Sequence, residues 1–148
     1  MSNLAHAFWP RWYRAIGYLD PAIGWAWRRF RFGNLVRVVL VGRRTGRERR
    51  VFLGLLTVGE RRYLGHPDRA CAWTLNLEAA GGGVLEHADG RRERFVAVPL
   101  APGPEREAVI RATFHQHVFP GGPLYWLFRA NLRAVGCFYR ISARVTLD

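Results

Sequence analysis

Lysine is absent from this chain. All 23 of its basic side chains are arginine, set against 11 acids in 148 residues, for a formal charge of +12. Without an amine side chain, Schiff-base chemistry and a Walker-type phosphate loop are both excluded. Cysteine is nearly as scarce: Cys71 and Cys137 are too few for a disulfide framework or a cysteine-built metal cluster, and no metal is expected. No apolar run approaches the ~20 residues that a membrane-spanning helix needs. The opening MSNLAHAFWPRWYRAIGYLD lacks the charged-then-apolar pattern of a secretory signal. The expected location is the cytoplasm, with attachment to the inner membrane face left open.

Aromatic and aliphatic residues are plentiful. A hydrophobic share of 49%, with 14% aromatic, is enough for the core of one domain and excludes a wholly disordered chain. Arginine offers a planar fork that grips carboxylates and phosphates through two hydrogen bonds. A surplus of it points to an anionic partner: a cofactor, a nucleic acid or an anionic membrane surface.

Along the chain, residues 5–18 and 21–31 predict two short helices. Asp20 and Pro21 serve as N-cap and first helical residue of the second, which Gly33 and Asn34 stop. This N-terminal part, 1–34, is aromatic and basic, with four of the six tryptophans. The rest, 35–148, reads as the strand-bearing body of what is a single domain. LVRVVLVG (35–42) and VFLGLLTV (51–58) predict two strands across a basic turn, followed by RRYLG (61–65). DRACAWTLNLEAAG (68–81) predicts a helix closed by Gly81, and GVLEHA and RRERFVAVPL flank an Asp89-Gly90 hairpin turn. Helices over 102–119 and 121–136 and a last strand over 137–145 complete the chain. About six strands with helices in the connections make an α+β domain with an antiparallel sheet, and its two hairpins are compatible with closure into a small barrel.

The turn GRRTGRERR (42–50) holds five arginines. Thr45-Gly46 suits a tight turn whose backbone N–H groups form an anion nest. Thr45 adds a hydroxyl, and Arg43, Arg44 and Arg49 add charge-assisted donors. The plain alternative is a solvated hairpin tip whose charges block edge-to-edge association. Downstream, Trp73 and Asn76 stand three apart on one helix face, as a core plug and a backbone partner, as ligand contacts, or as both.

Taken in order, Gly42-Arg43-Arg44-Thr45-Gly46-Arg47-Glu48-Arg49 and Trp73-Thr74-Leu75-Asn76-Leu77 resemble the deazaflavin-dependent nitroreductase and quinone-reductase family. The likeness is good over roughly residues 35–100 and looser in the last strand. It implies a split β-barrel that binds coenzyme F-420, an 8-hydroxy-5-deazaflavin with a phosphate and a polyglutamate tail. The implied activity is hydride transfer from carbon 5 of the reduced cofactor to a quinone, enone or nitro compound. By the same resemblance, Arg43, Arg44, Thr45, Gly46 and Arg49 hold the phosphate, and Arg47 and Arg50 reach the tail. Gly65 and His66 open the segment that lies against the ring, with Trp73 and Asn76 beside it. That segment departs from the commoner family form by carrying Ala70-Cys71-Ala72 before the tryptophan. Cys71 reads as a packed small residue, since no activating histidine is placed beside it.

Tyr125 and Trp126 lie where the family covers its substrate. Either can stack on a planar molecule, and the Tyr125 hydroxyl can donate a proton; an ordinary aromatic core helix is the competing reading. His115 and His117 suit a helix C-terminus in protonated form. The N-terminal tryptophans and arginines suit either a membrane interface or packing over the barrel. A homodimer is a further expectation of the fold. The alternatives are a non-catalytic split-barrel binder of lipid, flavin mononucleotide or haem, and a basic nucleic-acid module. The last lacks any recognised nucleic-acid motif, so no nucleic-acid partner is expected.

Overall fold

A computed structural model describes residues 2–18, 20–31 and 33–147. Seven strands, β1 (Leu35–Val41), β2 (Glu48–Gly54), β3 (Leu56–Val58), β4 (Arg61–His66), β5 (Gly82–Glu86), β6 (Arg92–Pro99) and β7 (Cys137–Leu147), form one sheet. Its order is β2-β1-β5-β6-β7-β4-β3, and every pairing is antiparallel. Six helices accompany it: α1 (Ser2–Tyr18), α2 (Asp20–Phe30), α3 (Ala72–Ala80), α4 (Pro104–Gln116), α5 (Gly121–Leu127) and α6 (Arg129–Val135).

The two edge strands, β2 and β3, are consecutive in the chain and separated only by Leu55. A sheet whose opposite edges are joined by one residue has to curl until those edges meet. Asn34 makes the corner: its carbonyl accepts from the Leu55 N–H at 2.8 Å and its side-chain amide donates to the Leu55 carbonyl at 3.0 Å. The run 51–58 is therefore two strands, where alternation alone predicts one. Its first half continues β2, which begins at Glu48 and pairs with β1 in the register Val38↔Val51 and Leu40↔Arg49. Its second half leaves to pair with β4.

The other expected elements appear with shifted ends. α3 starts at Ala72 and stops where Gly81 enters the left-handed region at φ 72°, its N–H capping the Leu77 carbonyl. The helix expected over 121–136 breaks at Phe128, which closes α5 and opens α6. α1 begins earlier than expected and runs through Pro10. The side chain of Asp20, and with it the expected cap of α2, lies outside the described residues.

Two cores hold the structure. The barrel core gathers Val38, Leu40, Leu64, Leu77, Leu85, Phe95 and Tyr139, with Trp73 packed against it. A second cluster, Leu56, Tyr63, Val109, Ile110, Leu132 and Phe138, seats α4 and α6 on the outside of the sheet. Each fully buried aliphatic side chain contributes about 1.5–3 kcal/mol of burial. α1 and α2 are part of this assembly. Trp27 is buried, donates its indole N–H to the Leu35 carbonyl at 2.8 Å, and meets Phe52 edge-on. Trp9 stacks on Tyr125 and Phe8 on Phe128, each at 5.1 Å.

Candidate functional site

A cleft of about 950 Å³ lies between the mouth of the barrel, α1, α3 and α5. One end is basic. Gly42 N–H donates to the Arg47 carbonyl and Gly46 N–H to the Gly42 carbonyl, both at 2.8 Å, with Gly46 at φ 65°. The Thr45 hydroxyl oxygen accepts from the Arg47 N–H at 3.3 Å. The turn thus spends the N–H groups of Gly42, Gly46 and Arg47 on its own closure. Those of Arg44 and Thr45 have no protein partner among the described residues. Arg43, Arg44, Thr45, Arg49 and Arg50 line the cleft, whereas Gly46 and Arg47 do not. Arg50 is held by Glu48 at 2.7 Å. Arg43, Arg44 and Arg49 have no acidic partner within 4.0 Å among the described residues.

Asn76 joins this turn to α3. Its side-chain oxygen accepts from both the backbone N–H and the guanidinium of Arg43, each at 3.1 Å, and the residue is 7% exposed. The two sequence motifs are therefore one physical unit, with the helix asparagine anchoring the start of the basic turn. Thr74, in the same helix and fully buried, donates to the Arg69 carbonyl at 2.6 Å and so fixes the chain entering α3.

The other end of the cleft is an aromatic chamber. Trp9, Tyr13, His66, Trp73, His117 and Tyr125 wall it, with Phe119 and Val118 exposed at its rim. Tyr125 and Tyr13 face each other with hydroxyls 2.7 Å apart, and Tyr13 lies against the His66 ring at 4.7 Å. Burial raises the pKa of both phenols, so both are neutral at physiological pH. Burial also pulls His66 down to about 4, while its Nδ1 sits between the backbone carbonyl and N–H of Asp68. Gly65 stands beside it because a side chain there would collide with Phe138.

Apolar surface dominates this lining. The indole N–H groups of Trp9 and Trp73 are buried and unpartnered. A buried donor without an acceptor costs about 1–3 kcal/mol. Among the described residues Asp68 is the one acid that lines the cleft, and its carboxylate accepts from the Ala70 N–H at 2.8 Å. The cleft therefore suits a molecule with a flat ring and negative charge at one end.

No family model matches the sequence, and no curated protein matches it either. Solved structures do. A conserved hypothetical protein of Mycobacterium tuberculosis superposes with a TM-score of 0.59 at 13% identity, covering 86% of this chain and 81% of its own. An F-420-H2-dependent reductase superposes at 0.57 with 16% identity, over 74% of this chain and 94% of its own. The haem storage protein HutZ of Vibrio cholerae does so at 0.56 with 15% identity, over 86% and 91%. The fold is a split β-barrel. At these identities the likeness speaks for the architecture alone, an architecture that serves a reductase in one neighbour and haem storage in another.

Of the residues singled out in the sequence, Arg43, Arg44, Thr45, Arg49, Arg50, Gly65, His66, Trp73, Asn76 and Tyr125 meet at the split barrel's cleft. Trp126 instead turns outward, 53% exposed, with the Arg129 guanidinium 4.2 Å over its ring. Cys71 borders the cleft as a thiol: burial raises its pKa, and its sulfur lies 3.3 Å from the Thr74 hydroxyl. His117 corrects the expectation of a protonated helix end. Its Nδ1 donates to the Thr113 carbonyl at 3.0 Å, and burial lowers its pKa, so it is a neutral wall of the cleft. Of the N-terminal tryptophans, Trp9 and Trp27 are buried and Trp25 is exposed. No helix among the described residues is long and apolar enough to cross a membrane. Sequence reasoning missed Trp9 and Tyr13 as cleft residues; helical spacing in α1 puts them on one face, but nothing in the spacing says what that face covers.

Proposed function

We propose that this split barrel is an oxidoreductase that binds reduced coenzyme F-420 and passes a hydride to a small quinone, enone or nitro compound. The observation that carries the reading is the polarity of the cleft: open arginines at one end and an aromatic, apolar chamber at the other. A deazaflavin with a phosphate and a carboxylate tail has the matching distribution of charge and flat ring. Arg43, Arg44 and Arg49 would take the phosphate, with the free N–H groups of Arg44 and Thr45. Trp73, packed against the barrel core, would lend its ring as an apolar wall beside the cofactor. When bound, the reduced cofactor supplies the hydride. The protein's own part is to orient the ring, to exclude water by the packing of Trp9, Tyr13 and Tyr125, and to hold a proton on Tyr125 for the reduced product.

Haem is less well served. Histidine nitrogen is the commonest axial ligand of its iron, beside Cys thiolate, Met and Tyr. His66 is drawn into the backbone of Asp68, and the His117 Nε2 is packed so closely on Gly54 that an added methyl there would lie 2.7 Å from it. The nucleic-acid reading is weakened by the sheet arginines, many of which are already paired with glutamate. Fluorescence titration with purified coenzyme F-420 tests the proposal: saturable binding is expected, weakened by Arg49→Ala. No binding at tens of micromolar cofactor, or a haem absorption band in the freshly purified protein, would sink it.

A further inference from the structure

We propose that Tyr13, on α1, is a positioning residue that donates its hydroxyl hydrogen to Tyr125, turning the Tyr125 proton toward an acceptor oxygen of the molecule in the cleft. The inference rests on the reading above for what that molecule offers, and adds a residue 112 positions away from Tyr125 in the chain. Two hydroxyls 2.7 Å apart share one hydrogen. Whichever oxygen accepts keeps its own hydrogen for another partner. Among the described residues neither phenol has a second partner, so that hydrogen is free for a ligand.

The surroundings make the arrangement rigid. Tyr125 is stacked on Trp9 at 5.1 Å and 17°, and the tilted ring of His117 lies 4.7 Å away. Tyr13 is wedged between Trp9 and His66. Among the described residues no charged side chain bonds either hydroxyl of the pair. The titratable groups around it are His66 on β4, His117 after α4, Cys71 before α3 and Cys137 on β7. Burial lowers both histidines and raises both thiols, Cys137 to about 12, so all four are neutral near pH 7. Asp68, the remaining acid of the lining, is engaged with Ala70.

The 2.7 Å contact admits either hydroxyl as donor, and the surroundings favour Tyr13. Burial raises both phenols, but the bond between them opposes that rise at Tyr125 and adds to it at Tyr13, directions that accord with Tyr125 as the acceptor of the shared hydrogen. A phenol that accepts a hydrogen bond becomes the stronger donor to a third atom. Proton delivery in the cleft then depends on α1, a helix outside the barrel, being docked on α5.

A fluorinated tyrosine placed at position 125, titrated by fluorine NMR in the ligand-free protein, tests this without any turnover. Tyr13→Phe keeps the ring between Trp9 and His66 and removes only the hydroxyl. The titration midpoint at 125 is expected to rise by about one pH unit in that variant, since a hydrogen bond to the charged form is lost. An unchanged midpoint overturns the proposal. If Tyr13→Phe does not fold, the probe is placed at 13 and at 125 in the otherwise intact chain: 125 should titrate first, and the reverse order overturns the assignment. Menadione binding, read by tryptophan quenching, is expected to weaken about fivefold in both Tyr13→Phe and Tyr125→Phe. A shifted midpoint with menadione affinity unchanged supports the Tyr13-to-Tyr125 bond and counts against the oxidoreductase reading, so the two failures are distinguishable.

Discussion

The arginines of the sheet and those of the basic turn share one side chain and behave as two populations. On the sheet, Arg37 and Arg92 meet Glu86, Arg62 meets Glu93, and Arg140 meets Glu105. In the turn, Arg43, Arg44 and Arg49 find no acid within 4.0 Å among the described residues, and the guanidinium of Arg43 bonds the Asn76 amide instead. The charge of +12 is therefore locally uneven: glutamates cancel these four strand arginines, whereas the three arginines at one mouth of the barrel stay uncancelled. Like charges held together cost stability unless an anion joins them. The paired sheet set is structural, and the turn set is charge gathered at the cleft.

The contrast can be broken most sharply at Glu86. It is 8% exposed and tied to Arg37 and Arg92, so Glu86→Ala leaves a half-buried guanidinium unpaired. A loss of about 3 kcal/mol in urea unfolding is expected, with little change in cofactor affinity per folded molecule. Asn76→Ala probes the joint between the two regions. Two hydrogen bonds to Arg43 disappear, so about 2 kcal/mol of stability should go, together with affinity for coenzyme F-420, because the turn loses its anchor. Arg49→Ala should do the reverse of Glu86→Ala. Stability should stay within about 0.5 kcal/mol, while F-420 affinity falls about tenfold in a fluorescence titration, the loss of a charge-assisted bond.

A smaller effect is expected from pH. The hydrogen bond from Arg62, with a lesser one from His87, holds the Glu93 carboxyl below its usual range, although partial burial works against this. The unfolded chain takes up a proton near pH 4.3, before the folded one does. Stability from this pair is thus fully present above that pH and is lost as pH falls through the folded value. Urea midpoints measured from pH 6 down to pH 3 should decline, and in Arg62→Ala the part due to Glu93 should be smaller. The smallest effect belongs to Arg47→Ala. Its side chain is off the cleft lining, so F-420 affinity should change less than about twofold and stability within about 0.5 kcal/mol. A large loss there would blur the division between cleft-lining and peripheral arginines.

Much of the architecture was legible because its signals are local. Asp89-Gly90 makes its turn, with Gly90 at φ 89°, and Gly81 ends α3 where a left-handed residue was expected. Gly42–Arg47 lies between paired strands, and Glu48–Arg50 extend the second of them, because the apolar runs on either side have the alternation and length of strands. The Leu55 corner was not legible, since VFLGLLTV reads as one continuous strand. Only the carbonyl and amide of Asn34, 21 positions earlier, show that it changes partners. The inward face of α1 was hidden for a related reason: Phe8, Trp9 and Tyr13 look like any amphipathic stripe until Phe128 and Tyr125 are known to receive them.

What the sequence by itself determined is composition and local geometry: a lysine-free, arginine-rich chain, an antiparallel α+β plan, and a turn whose charge exceeds what solubility needs. These depend on nearest-neighbour sterics, hydrophobic period and residue chemistry, all readable along the chain. The tertiary structure decided which arginines remain open, that Asn76 ties the turn to α3, and that two tyrosines from opposite ends of the chain share a hydrogen. Such pairings depend on which surfaces meet when the sheet curls through Leu55 and α1 docks on α5. Contact between distant segments is set by the summed packing of the whole fold, and no single stretch of sequence encodes it.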